Sequence, residues 1–276
     1  MTARGRLLSG LVAIVIALAG FATVGALPAV ANSDNVQYVA LGDSYAAGVG
    51  AGSYDGSGCL RSSKGYPVLL DSEGRIDLQV NATCAGAKTS DVRRTVASGA
   101  SGLNPETRLV TLTVGGNDLG FAGLAGACLA GTTEECLDAI RTAEGKLPGL
   151  GSDLTKLYLE VAEAAPDARI VVTGYPFLVE PSGATIVTAF RAATVRLNDT
   201  IEQAVAAARE ADVKIVYVDV TAAFAGHGIY TSVPFINAPA GTLEDFHPNE
   251  DGYVAYADAI ATKLPNGWLD KNKQPV

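Results

Sequence analysis

Five apolar runs of strand length, Val36–Leu41, Ile76–Val80, Leu109–Val114, Arg169–Thr173 and Val213–Val218, are separated by longer stretches whose apolar residues recur every three or four positions. That alternation constrains the fold more than any other feature of the chain. A strand, a helix and a further strand in series return the chain parallel to itself, and a parallel sheet needs helices on both faces to bury its apolar sides. The pattern therefore predicts a three-layer α/β/α sandwich on a five-stranded parallel sheet. The clearest helical periods run over Thr133–Ala143, Ser152–Ala165, Thr188–Glu210 and Asn249–Lys263. Their ends agree: Ser152-Asp153 is placed to cap the second, Pro166 to stop it, and Asp212 to close the third before the next strand. No repeat, low-complexity tract or linker interrupts the series, and the glycine-rich stretch Gly48 to Gly58 reads as a surface loop.

Residues 1–31 stand outside this pattern. Arg4 and Arg6 precede an apolar run from Leu7 to about Ala26, and Ala29-Val30-Ala31 follows. This is the layout of a cleaved export signal, and the run, broken by Gly20 and Gly25, is short for a membrane anchor. The expectation is secretion after cleavage near Ala31, no stable membrane anchor, and one domain over residues 32–276. The first cysteine, Cys59, lies too far along to be a lipid-modified N-terminus. Cleavage removes two arginines and no acid, taking the net charge from −9 to −11 and disfavouring nucleic acid as a partner. A monomer is expected.

In an exported chain, Cys59, Cys84, Cys128 and Cys136 are expected to form disulfides. Of the three possible pairings, Cys59 with Cys84 and Cys128 with Cys136 is preferred, because each pair closes a local loop. There is no C-x-x-C spacing, and His227 and His247 lie 20 residues apart, so no metal site is expected. The chain also lacks a phosphate loop, a dinucleotide fingerprint, H-E-x-x-H and G-x-S-x-G. No cofactor is expected.

The functional crevice of an open parallel sheet lies outside the carboxyl ends of its strands. Ser44 follows the first run through Gly42-Asp43, Gly86 follows the second, and Asn117 follows the third through Gly115-Gly116. A serine hydroxyl at a strand-to-helix turn can attack a carbonyl, but it needs a base within reach. His247 is the better of the two histidines: Pro248 stiffens its turn, Asn249 can cap the helix that follows, and Glu244 and Asp245 stand just before it. His227, between Gly226 and Gly228, fits a structural hydrogen bond in a turn. An oxyanion needs donors already aimed at it, which Asn117, Gly86 and Ser44 can supply. Each segment alone is an ordinary turn; together they compose an acyl-transfer site.

In sequence order these segments resemble the SGNH hydrolases, the GDSL lipase and esterase family. Gly42-Asp43-Ser44-Tyr45 is similar to the first block of that family, Cys84-Ala85-Gly86-Ala87 to the second, Gly115-Gly116-Asn117-Asp118 to the third and His247-Pro248-Asn249 to the last. The resemblance spans nearly all of residues 32–276 and is strongest to the secreted actinobacterial branch, where cysteines at about these places form disulfides. It implies a flavodoxin-like fold and a cofactor-independent serine carboxylester hydrolase acting on a small-molecule or lipid ester. Ser44 would attack, His247 would carry the proton, and Ser44, Gly86 and Asn117 would hold the oxyanion.

Two departures stand out. Many family members carry an aspartate three residues before the histidine, where this chain has Glu244, with Asp245 one residue closer. Some actinobacterial relatives orient the histidine with a backbone carbonyl instead, so the orienting group is open between Glu244, Asp245 and the main chain. Those relatives also tend to carry a third bridge beside a Gly-His pair, whereas Gly226-His227-Gly228-Ile229-Tyr230 has no cysteine, which implies a less rigid loop. Two other readings keep the fold: an acetyl esterase acting on acylated carbohydrate, and a non-catalytic binding module. Val233, Phe235 and Ile236 fit an acyl wall and a packed core equally well.

Overall fold

The computed structural model describes residues 35–269. β1 (Val36–Gly42) pairs in parallel with β2 (Ile76–Asn81) on one side and β3 (Leu109–Thr113) on the other. β4 (Arg169–Thr173) and β5 (Ile215–Val218) extend the sheet beyond β3, giving the order β2-β1-β3-β4-β5. Every residue of β3 is buried, which a central strand achieves only when both faces of its sheet are covered. Three buried hydroxyl pairs, Tyr38 with Thr111 at 2.6 Å, Tyr66 with Thr113 at 2.9 Å and Thr113 with Thr173 at 2.6 Å, satisfy the polar atoms that these strands carry into the core.

Between the strands run α1 (Ser44–Ala47), α2 (Tyr66–Asp71), α3 (Thr89–Ala97), α4 (Gly116–Leu119), α5 (Phe121–Ala130), α6 (Thr133–Glu144), α7 (Leu147–Ala164) and α8 (Thr185–Glu210), with α9 (Glu250–Ala261) after β5. They sort into two packed sets: α7 lies against α3 and α8, and α6 against α5 and α8, while α2 lies against α9. The 3.6-residue period explains the packing. α8 buries Phe190, Leu197, Ile201, Val205 and Ala208 along one stripe.

The expected elements are present with shifted ends. α7 starts at Leu147 rather than Ser152 because Pro148 occupies its first turn, where a missing N–H leaves no bond unmade; Ser152-Asp153 lies inside the helix instead of capping it. β5 starts at Ile215 rather than Val213, since Asp212 adopts a left-handed φ of 61° and Ile215 N–H turns back to Val213 O at 2.9 Å. Asn249 caps α9 through its side chain, which accepts from Gly252 N–H at 3.0 Å. The cysteines pair Cys59–Cys84 and Cys128–Cys136. The expected signal over residues 1–31 lies outside the described residues.

This strand order reverses direction between β1 and β3, and ligands of such sheets bind beyond the strand ends at that point. The chain leaves β1 at Ser44 and β3 at Asn117.

Candidate active site

The turn out of β1 is set by close approach. A Cβ at Gly42, whose φ is 130°, would sit 2.2 Å from Thr113 O, so only glycine lets β1 end this near β3. Asp43 N–H donates to Thr113 O at 2.8 Å, and Asp43 Oδ1 caps α1 by accepting from Tyr45 N–H at 2.9 Å. Ser44 thereby opens α1, and among the described residues its backbone N–H has no protein partner.

The stretch expected to be a surface loop from Gly48 begins buried instead. Gly48, Val49 and Gly50 are all buried, and Gly50 is the seat for the histidine segment: a Cβ there, φ 104°, would meet Pro248 O at 2.2 Å and His247 Cβ at 2.9 Å. Tyr45 hydroxyl donates to Phe246 O at 2.6 Å, and Asn237 Nδ2 donates to Gly50 O at 3.0 Å. These contacts bring together residues about 200 positions apart in sequence, as the Tyr45 and Phe246 separation of 201 shows.

His247 Nε2 lies 2.7 Å from Ser44 Oγ, and its Nδ1 lies 2.9 Å from Asp245 main-chain O. A carbonyl oxygen only accepts, so Nδ1 carries the proton, Nε2 presents its lone pair, and the serine hydroxyl donates. Burial pushes the imidazole below its ordinary value of 6.5, opposed by its hydrogen bonds to residues 245 and 244 and by their carboxylates.

Of the three groups left open, the Glu244 carboxylate, the Asp245 carboxylate and the main chain, the ring meets the main chain at Asp245 O, and both carboxylates are engaged elsewhere. Tyr54 hydroxyl donates to Glu244 Oε1 at 2.7 Å. The Asp245 carboxylate accepts from Ala240 N–H at 3.0 Å, Gly241 N–H at 2.8 Å and both the N–H and hydroxyl of Thr242, contacts that hold its pKa below the usual carboxylate value. The turn consumes the side chain and leaves the main-chain oxygen for the imidazole. His227 lies in a turn, as expected, with Nδ1 2.7 Å from Val233 O and its ring stacked on Phe235 at 3.7 Å.

Gly86 and Asn117 reach the same cavity as Ser44 and His247, a hollow of about 220 Å³. Gly86 N–H has no protein partner among the described residues. Asn117 Nδ2 donates to Ala87 O at 3.0 Å, which leaves its second N–H for the cavity it lines. Asp118 locks the two loops together by accepting from Thr89 N–H at 3.1 Å and Thr89 hydroxyl at 2.6 Å. The Cys59–Cys84 bridge and the Ala85 N–H to Cys59 O bond of 2.9 Å pin the Gly86 loop from the other side. Such an arrangement can take a proton from a hydroxyl and offer several N–H groups to an oxygen that gains charge.

Apolar side chains close the rest of the hollow, among them Val49, Leu60, Phe121, Ala125, Leu243 and Phe246. Val233, Phe235 and Ile236, which fitted an acyl wall and a packed core equally well, do not line this cavity: Val233 is exposed, Phe235 packs on Phe224 and His227, and Ile236 is buried in the core. A larger groove of about 760 Å³ adjoins at Ala85 and Gly86 but contains neither Ser44 nor His247. The sequence reading also missed Tyr175, which lines the cavity just after β4; following the strand-end rule one strand further would have reached it.

Residues 40–255 match the GDSL-like Lipase/Acylhydrolase family. A lipase of Streptomyces rimosus is 35% identical over 244 residues, covering 86% of this chain and 88% of that one. Lipase 1 of Streptomyces coelicolor is 36% identical over 262 residues, covering 90% and 92%. Among solved structures, an extracellular lipase from Streptomyces rimosus matches with a TM-score of 0.73 at 32% identity, covering 83% of this chain and all of that one. Phospholipase A1 from Streptomyces albidoflavus matches with a TM-score of 0.74 at 34% identity and the same 83% coverage.

Proposed function

The chain belongs to the GDSL-like lipase/acylhydrolase family and is a carboxylic ester hydrolase, and from that premise we propose that Ser44 is its nucleophile and His247 its general base and acid. Ser44 Oγ attacks the ester carbonyl as His247 Nε2 takes the hydroxyl proton. The charge that develops on the carbonyl oxygen is held by Ser44 N–H, Gly86 N–H and Asn117 Nδ2. Collapse of the tetrahedral species expels the alcohol with the proton from His247, and water, activated by the same nitrogen, hydrolyses the acyl-enzyme. The observation that carries this reading is the 2.7 Å contact between Ser44 Oγ and His247 Nε2, with Gly86 and Asn117 on the same cavity.

The acyl group enters the apolar end of the hollow. Its volume of about 220 Å³ is some seven times the ~30 Å³ of liquid that one water molecule occupies, more room than an acetyl group needs. The lining includes Leu60 and Leu243, the latter 75% exposed, which extend the apolar surface offered to an acyl chain toward solvent. Lipid-type esters are therefore favoured over acetylated carbohydrate. The protein works outside the cell after losing residues 1–31, a reading supported by its two disulfides. Among the described residues no helix is long and apolar enough to cross a membrane.

Ser44→Ala tests the assignment. Hydrolysis of p-nitrophenyl esters should fall at least about 10⁴-fold, and a fluorophosphonate probe should label the wild type but not the variant. Full labelling of Ser44→Ala would place the nucleophile elsewhere, and a wild type that binds esters but resists the probe would fit a binding module.

A further inference from the structure

We propose that Tyr175 is a positioning residue that fixes the separation between the nucleophile turn and the oxyanion turn, an inference that rests on the roles given above to Ser44 and Asn117. Its hydroxyl donates to Asp43 Oδ2 at 2.5 Å and accepts from Gly116 N–H at 3.0 Å. Asp43 immediately precedes Ser44, and Gly116 immediately precedes Asn117. One oxygen atom thus ties together the neighbours of both groups, in the turns that leave the paired ends of β1 and β3.

Tyr175 is itself firmly anchored. Its N–H donates to Asn198 Oδ1 at 2.9 Å and its carbonyl accepts from Asn198 Nδ2 at 2.8 Å, which fastens it to α8. Its ring meets Tyr45 edge-on at 5.1 Å and leaves no slack toward the oxyanion turn, where a Cβ added at Gly116 would stand 3.3 Å from the ring. Burial and the neighbouring Asp43 charge hold the phenol pKa well above 10, so it stays a donor across neutral pH. Any buried phenol takes hydrogen-bond partners, as Tyr38 and Tyr66 do in this core; what sets Tyr175 apart is where its two partners lie. These two belong to turns that must stay in register for an attacking oxygen and an oxyanion donor to meet one carbonyl group.

Tyr175→Phe in the full chain removes the oxygen and keeps the ring. The expected result with a p-nitrophenyl ester is a kcat about 100-fold lower, with KM within about threefold of wild type, as befits loss of transition-state geometry rather than of substrate binding. In an Asn117→Ala background the same change should cost less than about tenfold, because residues that act through one element are not additive. Gly116→Ala, which keeps the hydroxyl but crowds the ring, should lower kcat in the same sense.

A folded Tyr175→Phe with wild-type kcat overturns the proposal, as does an equal loss with and without Asn117. Should Tyr175→Phe fail to fold, Gly116→Ala decides, and an unchanged kcat there overturns it too. Ser44→Ala keeps the two questions apart. Activity surviving in that variant refutes the nucleophile assignment, whereas an inactive Ser44→Ala beside a fully active Tyr175→Phe removes the positioning role alone.

Discussion

Asp245 meets His247 through its main chain: the carbonyl oxygen receives Nδ1–H at 2.9 Å, while the carboxylate of the same residue binds backbone N–H groups of the 240–242 turn. The imidazole is held in the required tautomer by an acceptor that no side-chain substitution removes. The neutral carbonyl also adds no full negative charge at the ring, so the burial that depresses the His247 pKa is only partly offset.

Glu244→Gln should therefore retain kcat within about threefold of wild type, and Asp245→Asn within about tenfold, whereas losing the orienting carboxylate of a serine protease triad costs about 10⁴ in kcat. Gln can still accept from Tyr54, and Asn can still accept in the turn. Steady-state kinetics on purified variants check this; a loss of about 10³ or more in Glu244→Gln would show that its carboxylate serves the histidine after all.

This contact also marks where the sequence stops being readable. Strand and helix periods reveal the sheet because burial on a pleated or helical surface writes a period of two or 3.6 into the chain. They hide α5, whose run FAGLAGACLA is apolar almost throughout and has no polar side to set the phase. The spacing of Ser44, Gly86, Asn117 and His247 is legible because each follows a strand or precedes a helix. Whether Asp245 uses its carboxylate or its carbonyl depends on a turn closed by backbone N–H groups, which residue identity does not encode. The same holds for Gly50: its glycine-rich surroundings signal flexibility, but its backbone is covered by His247 and Pro248, about 200 residues further along, as Phe246 is from Tyr45 at a separation of 201.

The acid limb of kcat/KM should lie below pH 6.5. In the proposed role of general base His247 must be neutral at Nε2, and burial lowers its pKa from 6.5, so the base form persists to more acidic pH than a free imidazole allows. A profile measured from pH 4 to 9 with a soluble ester decides the point. A limb above 6.5 would assign the titration to another group, with Asp43, raised to about 7 by its burial, the first candidate.

Asp43 makes a separate prediction for stability. Burial lifts its carboxyl from 3.8 to about 7, against the opposing hydrogen bonds from Tyr175 and from the Tyr45 and Ala46 backbone. Between those values the native state keeps a proton that the unfolded chain releases, so this group's contribution to stability falls as pH rises from 3.8 to about 7 and then levels off. His247 acts in the opposite direction, removing stability as pH drops below 6.5, but it does so in wild type and variant alike. The urea midpoint of Asp43→Asn relative to wild type should consequently climb across this window. A difference that stays constant with pH would mean that Asp43 is already ionised when buried.

The acyl wall can be tested at Ala125, which is fully buried on α5 and lines the cavity. Ala125→Leu would fill part of the about 220 Å³ hollow from the wall that an acyl chain must follow. Losing room for two or three methylenes forfeits about 2 kcal/mol at ~0.8 kcal/mol each, or about 30-fold in kcat/KM. The loss should fall on p-nitrophenyl decanoate and spare the acetate, whose acyl group is too short to need the volume that the leucine would take. Overpacking at a site without spare volume costs about 1–3 kcal/mol of fold stability, so a thermal melt must accompany the kinetics. A stable variant with an unchanged decanoate-to-acetate ratio would show that the chain takes another route, and the adjoining groove beyond Gly86 would then be the place to look.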